Sequence, residues 1–316
     1  MNEITICIPT YCRRESVCTL VSSIIQQNIL LIADLIVIDD GSIDDTYEEL
    51  RKLNYPSGSN VCILRQENEG LAATFVKFFT LCKTEYLLMI ADDDKILGSN
   101  FTKIIDFLVN TETDFVSAIW MASDGHTINR GKKYITKISL DELRAATNHA
   151  PGLIYKVESC KQALSYLKER LAATCYAANI FPQVVLSLYL SLYSDRLHWC
   201  PIAIGGYNKY GAKSSGLHDS HGNHWSSVQG RWNEQVSFEK IYSNLVDLSR
   251  SNLEKIKYSK LLAKHNSEIY VRLRSGVEVQ KPDLSKLLDG GSLFYNIRNL
   301  SKSIKNLFEF VLKKYF

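Results

Sequence analysis

The chain has 316 residues, of which 46% are hydrophobic and 22% charged, and a net charge of +3. That balance is ordinary for a globular protein and leaves room for one large domain or two smaller ones. It excludes a strong global attraction to nucleic acid, and no apolar run reaches membrane-spanning length. The start Met1-Asn2-Glu3 lacks the basic region of a cleavable signal. Eight cysteines are scattered without a Cys-x-x-Cys pair or zinc-type spacing. Reduced thiols in a cytoplasm are the expectation.

Residues 4–11 are a short β-rich run stopped by Pro9. Residues 15–27 carry Val17, Leu20, Val21, Ile24 and Ile25 at helical spacing. A buried strand at 35–38 ends in Asp39-Asp40-Gly41-Ser42, and a helix is expected over 44–53. A third strand, 61–64, leads to Asn68-Glu69-Gly70, after which Leu71, Phe75, Phe78, Phe79 and Cys82 mark a helix face. A fourth strand, 86–91, ends in Asp92-Asp93-Asp94. A helix around 101–108 and a strand at 114–121 follow. Regular strand–helix alternation predicts an α/β fold with a mostly parallel, doubly wound sheet.

The unusual polar residues then gather on one rim. Tyr11, Asp39, Asp40, Asn68 and the aspartate trio all lie just past the ends of successive strands, where open α/β sheets bind ligands. Three adjacent carboxylates repel one another unless a cation neutralises them. One or two carboxylates with phosphate oxygens suit Mg²⁺ or Mn²⁺, so a metal-held nucleotide diphosphate is one reading. A solvated acidic loop that starts a helix is the other. A dinucleotide dehydrogenase and a P-loop ATPase are disfavoured, because neither glycine-rich loop is present.

Four pieces occur together in the first hundred or so residues: Ile8-Pro9-Thr10-Tyr11-Cys12-Arg13, Ile38-Asp39-Asp40-Gly41-Ser42, Asn68-Glu69-Gly70 and Ala91-Asp92-Asp93-Asp94. In this order and spacing the chain resembles family 2 glycosyltransferases of the GT-A fold. The resemblance implies that Tyr11 flanks a nucleobase, Asp40 accepts a hydrogen bond from it, and Asp39 supports the loop. Asp92 and Asp94 match the outer positions of an Asp-x-Asp metal motif, with Asp94 as the direct Mg²⁺ or Mn²⁺ contact and a catalytic residue. Asp93 would face the ribose or donor sugar. Pro9, Thr10, Arg13, Asn68 and Gly70 complete the implied substrate-binding set. Two departures stand out: Cys12 replaces the usual Asn, and Phe75-Val76 stand where an Arg-Asn pair is common, with Lys77 nearby.

The second half is less distinctive. Residues 124–133 are polar and loop-like, and 151–156 resemble the family's turn and strand before the acceptor site. Inverting members place a Glu-Asp pair downstream to deprotonate the acceptor; none occurs here, which leaves Asp195 or Glu158. For a retaining reaction, Gln183 or Asn179 would stabilise the oxocarbenium-like centre, and both outcomes stay open. The alternative for these two amides is helix capping. Residues 205–216 are rich in glycine and serine, and His218, His221 and His224 follow. The resemblance implies a late histidine in the metal shell, with His221 taken for that place, and Arg231 as a phosphate partner; solvated surface histidines are the alternative. Trp225 and Trp232 would stack on sugars or anchor the loop.

The tail, 292–316, places Leu293, Ile297, Leu300, Ile304, Leu307 and Val311 on one face and basic residues elsewhere. It suits peripheral docking on an anionic bilayer or packing against the protein or a partner helix, and leaves room for a homo-oligomer. The expected organisation is a GT-A domain at 1–235, with a nucleotide-sugar half at 1–95 and an acceptor half at 96–235, then a helical region at 236–316. The expected function is transfer of a hexosyl or deoxyhexosyl group from a nucleotide diphosphate sugar to a saccharide acceptor on a lipid carrier. The setting would be bacterial O-antigen or capsule synthesis, in the cytoplasm or at the inner membrane face. A similarity to abequosyltransferases implies a CDP-linked donor. The alternative is a non-catalytic scaffold of the same fold that binds sugar nucleotide or glycan.

Overall fold

The computed structural model describes residues 2–208 and 225–268. The chain divides into two compact units, Met1–Ser215 and Gly216–Phe316. The first begins with β1 (Ile4–Thr10), α1 (Arg14–Gln26), β2 (Asp34–Asp39), α2 (Thr46–Lys52), β3 (Val61–Arg65), α3 (Leu71–Leu81) and β4 (Tyr86–Met89). It continues with β5 (Asp94–Ile96), α4 (Phe101–Asn110), β6 (Phe115–Met121), β7 (Ile128–Arg130), β8 (Thr136–Lys137), α5 (Leu140–Thr147) and β9 (Leu153–Lys156). Then come α6 (Lys161–Ala172), α7 (Tyr176–Ile180), α8 (Pro182–Leu190) and β10 (Leu197–Tyr207).

The strand order is β3-β2-β1-β4-β9-β6-β10-β5, with β7 beside β6 and β8 beside β10. The first four strands are parallel, as the alternation predicts. Beyond β4 the sheet is mixed: β9 runs antiparallel between β4 and β6, while β6 and β10 are again parallel. From β1 the chain winds outward to β2 and β3, then returns to place β4 on β1's other side. That reversal opens a crevice at the carboxyl ends of β1 and β4.

Both faces of the sheet are covered, so its strands read as unbroken apolar runs. On one face Ile4, Ile6 and Ile8 alternate inward against Val17, Val21 and Ile24 of α1 and Ile104 of α4. On the other, Phe75 and Phe79 of α3 set their rings edge-on to Tyr155, with centroids 6.1 and 5.7 Å away. Phe75 is 1% exposed. Phe75, which stands where the resemblance implies an Arg-Asn pair, is thus part of the core.

The rim opposite the crevice is tied by Asp114, just before β6. Its carboxylate accepts from Ser159 (2.5 Å), Ser194 (2.5 Å) and two nitrogens of Arg196 (3.0 and 2.9 Å). Burial alone would raise this carboxyl, but those donors outweigh it and hold it below the usual value. A lowered folded value means the stabilisation is present above the unfolded pKa of about 3.9 and is lost as pH falls through the folded value. Asp114→Asn should therefore cost about 2 kcal/mol at pH 7. It should also flatten the acid limb of a melting-temperature profile below about pH 4. A mutant with an unchanged acid limb would contradict this.

In the second unit, α9 (Val228–Leu248) and α10 (Asn252–Ser267) are capped by Ser227 and Ser251, whose side chains accept from Gly230 N and Glu254 N. The helices are joined by reciprocal bonds between Gln235 and His265, of 3.1 and 2.9 Å. Residue 235, the expected end of the first domain, falls inside α9. The amphipathic tail lies outside the described residues. Among the described residues, no helix is long and apolar enough to cross a membrane.

Candidate active site

The end of β1 and the segment after β4 meet through side chains. Thr10 Oγ1 donates to Asp92 Oδ2 at 2.8 Å, and Arg13 Nη1 donates to Asp92 Oδ1 at 2.8 Å. The same nitrogen lies 3.2 Å from Asp93 Oδ2. Burial raises the Asp92 carboxyl, and Arg13 and Thr10 oppose that shift. Each Asp92 oxygen thus accepts one hydrogen bond, which ties Thr10 and Arg13 to the segment after β4.

Asp94 differs. It opens β5 opposite Tyr207 of β10, is 6% exposed, and its Oδ2 is buried without a hydrogen-bond partner. Burial, then the charges of Asp93 and Asp92, push its carboxyl up to about 8, with Arg130 and Arg13 pulling the other way. An orphaned buried carboxylate oxygen is what a hard cation satisfies. Among the described residues no group of three His, Cys, Asp or Glu side chains could enclose a metal. The donors fit a Mg²⁺ or Mn²⁺ held by Asp94 and completed by a ligand's phosphates. His218, His221 and His224 lie outside the described residues.

Next along the rim, Asp40 grips the loop before α3. Its carboxylate accepts from Gln66 Nε2 (2.7 Å), Glu69 N (3.0 Å) and Gly70 N (2.8 Å), and Lys77 Nζ donates to Gln66 Oε1 at 2.8 Å. Lys77 thus reaches this network through Gln66. Asp39 Oδ1 accepts from the backbone and hydroxyl of Ser42, whose Oγ accepts from Cys12 N at 2.8 Å. The turn needs Gly41: its φ is +79°, and a Cβ there would lie 2.8 Å from Asn68 N. Cys12 is also left-handed, with φ 51°, a backbone that asparagine tolerates better than most residues. Beside it Tyr11 is 46% exposed, open for stacking. Pro9 lies half-buried in β1 beside Ile38, and Asn68 is exposed.

A cavity of about 550 Å³ adjoins Asp94's strand, lined by Asn129, Arg130, Asn148, His149, Trp199 and Tyr207 among others. Arg130 donates to the carbonyls of His149 and Pro151, and the adjacent Gly152 N donates to Met89 O at 2.8 Å. The cavity therefore stands at the same rim as the aspartates. Trp120 of β6 packs so closely on β10 that a Cβ on Gly205 would come within 2.4 Å of it. Burial, then Arg130's charge, pushes His149 down to about 3, so it is neutral. Sequence reasoning missed these residues; the only signal was the polar run 124–133.

Other expected residues are elsewhere. Asp195 is exposed and pairs with Lys137 at 3.0 Å. It precedes β10 (Leu197–Tyr207), whose other end, Tyr207, is the one beside Asp94. Glu158 pairs with Lys161 at 2.5 Å and follows Lys156, the partner of Tyr86 at the start of β4. Both stand toward the opposite rim, so neither is placed to deprotonate an acceptor. Gln183 is buried in α8, its carbonyl accepting from Tyr155 Oη at 3.3 Å. Asn179 Nδ2 bonds back to Cys175 O at 3.0 Å within its helix. In the second unit, Arg231 Nη1 donates to Glu234 at 2.9 Å and its guanidinium lies 4.4 Å from the Trp225 ring centroid. Its charge is already engaged. Trp232 is buried in α9.

The family described as Glycosyl transferase family 2 matches residues 5–164, just over half of the chain. No curated protein sequence matches. Among solved structures, Staphylococcus aureus TarS 1–349 superposes with a TM-score of 0.64 at 13% identity, over 97% of this chain and 81% of that one. The same protein in complex with UDP-GlcNAc gives 0.65 at 16% identity, over 88% and 76%. The mannosyltransferase PcManGT from Pyrobaculum calidifontis, in complex with GDP-Man and Mn²⁺, gives 0.54 at 13%, over 99% and 88%. These likenesses establish the GT-A fold.

Proposed function

The chain belongs to glycosyl transferase family 2, and from that premise we propose that it transfers a sugar from a nucleotide diphosphate sugar to a saccharide acceptor. The observation that carries this is the joining of Thr10, Arg13, Asp92 and Asp40 at the β1/β4 crevice, with Asp94's unpartnered oxygen beside them. Tyr11 flanks the base, and Asp40 holds the 66–70 loop that forms the base pocket. Thr10, Arg13 and Asp92 fix the strand ends, and Asp93 faces the donor's ribose or sugar. Asp94 holds Mg²⁺ or Mn²⁺, which when bound supplies charge neutralisation of the departing diphosphate. The complexes of TarS with UDP-GlcNAc and of PcManGT with GDP-Man and Mn²⁺ support this donor class and metal. We assign the acceptor to a bacterial surface polysaccharide growing on a lipid carrier.

The test is thermal unfolding with UDP, CDP, GDP or dTDP, each with Mn²⁺, Mg²⁺ or EDTA. One nucleotide should raise the melting temperature in a metal-dependent way, by the equivalent of about 2.7 kcal/mol at a hundred times its Kd. No shift with any of them would overturn the proposal. A non-catalytic scaffold would give the shift but release no nucleoside diphosphate in the presence of any donor and acceptor.

A further inference from the structure

We propose that the cavity beside Asp94 is an anion subsite, in which Arg130 is the counter-charge for an oxyanion carried by a substrate, a sugar carboxylate or a phosphate. Its place in a sugar transfer rests on the transferase reading; anion binding itself does not.

Arg130 is 6% exposed. Among the described residues no carboxylate stands within ion-pair distance of it. Two of its nitrogens donate to the carbonyls of His149 and Pro151, which aim the guanidinium without neutralising it. Its Nε has no acceptor at all. A buried guanidinium without a counter-ion is costly, and proteins retain one where something else supplies the negative charge.

The cavity's other walls supply none. Asn129, Asn148, Trp199 and Tyr207 are uncharged, and His149 is held neutral by burial and by Arg130 itself. Lys132, whose Nζ sits 5.5 Å from the Trp199 ring centroid, is already matched by Glu142. The nearest acid is Asp94, which feels Arg130 electrostatically but makes no hydrogen bond to it. The indole and phenol faces offer flat surfaces for a sugar ring. The side-chain amides offer donors and acceptors, one of them engaged between Asn129 and Tyr207 at 3.3 Å. About 550 Å³ is within the range of small-molecule sites. Together these describe a place for a sugar that bears a negative charge, or for a diphosphate oxygen reaching in from the crevice.

The experiment uses the full chain in EDTA and ligand-observed NMR. The probes are D-glucuronate, its neutral methyl ester and inorganic pyrophosphate, with wild type, Arg130→Gln and Arg130→Lys. The expected result is that wild type binds glucuronate at least tenfold more tightly than the ester, that Arg130→Gln loses the preference, and that Arg130→Lys keeps part of it. Arg130-dependent binding of pyrophosphate with no preference for glucuronate over its ester supports the subsite and assigns it to the diphosphate. Equal binding of glucuronate and ester by wild type, with pyrophosphate binding unchanged in Arg130→Gln, overturns the proposal. Should Arg130→Gln not fold, the wild-type comparison and Arg130→Lys decide. A nucleotide-induced thermal shift with neither a glucuronate preference nor Arg130-dependent pyrophosphate binding removes only this proposal. Anion discrimination without a nucleotide shift removes only the transferase reading.

Discussion

Asp94→Asn should cut metal-dependent turnover sharply and yet make the metal-free protein more stable at neutral pH. The two effects have one cause. Asp94 is buried with an unpartnered oxygen beside two other carboxylates, which pushes its carboxyl up to about 8. In the unfolded chain an aspartate titrates near 3.9. Between those values the unfolded state has released the proton and the folded state still holds it, so rising pH favours unfolding. Above about 8 the penalty levels off. The substituted amide carries no such proton. In EDTA the mutant should be more stable than wild type by roughly 2–4 kcal/mol at pH 7. Wild type should lose melting temperature from pH 4 to 8 while the mutant's profile loses that slope. A cation bound at Asp94 removes the penalty in wild type only, so Mn²⁺ should narrow the gap. Release of nucleoside diphosphate should fall by about 10²–10³-fold, the scale of losing one main electrostatic contact to the developing charge. Wild-type turnover in Asp94→Asn would remove Asp94 from the reaction.

The second large effect is expected at Asp40. Its carboxylate accepts three hydrogen bonds, from Gln66, Glu69 and Gly70, and is 6% exposed. Asp40→Ala leaves all three donors without that acceptor at once. Each buried loss costs about 1–3 kcal/mol, and water can reach part of the loop, so about 3 kcal/mol in total is expected. The urea midpoint should fall at constant m-value, because the exposed surface on unfolding is little changed. The start of α3 depends on the same grip, since Gly70 precedes its first residue. Loss of order there should also abolish the nucleotide-induced thermal shift. Asp40→Asn keeps one acceptor oxygen but turns an NH₂ toward a backbone N–H, so it should fall between the two. If Asp40→Ala melts like wild type, the 66–70 loop is held by something else.

Much of the donor half was legible from the chain alone, and the reason is local. Each motif there is a strand followed directly by its polar residues: Thr10 after β1's apolar run, Asp39-Asp40 after β2's, the aspartates after β4's. Parallel strands bring such ends to one rim wherever the pairing register falls, so the alternation of elements sufficed to group them. The division of labour within the trio was not legible. That Asp92 accepts from Thr10 and Arg13 while Asp94 keeps a bare oxygen depends on which way each side chain leaves the turn.

The other half was decided by tertiary structure. Arg130, His149, Trp199 and Tyr207 come from a short strand, a loop and the two ends of β10. They meet because β9 turns antiparallel between β4 and β6, and because β10 runs its whole length beside β6 before pairing with β5. Neither direction nor register is written in a local pattern of apolar residues. The same ignorance placed Asp195 and Glu158 among the candidates, although strand direction sends both toward the far rim. Local propensity sets which residues end a strand; long-range pairing sets which ends face one another, and the cavity beside Asp94 is made of the second kind.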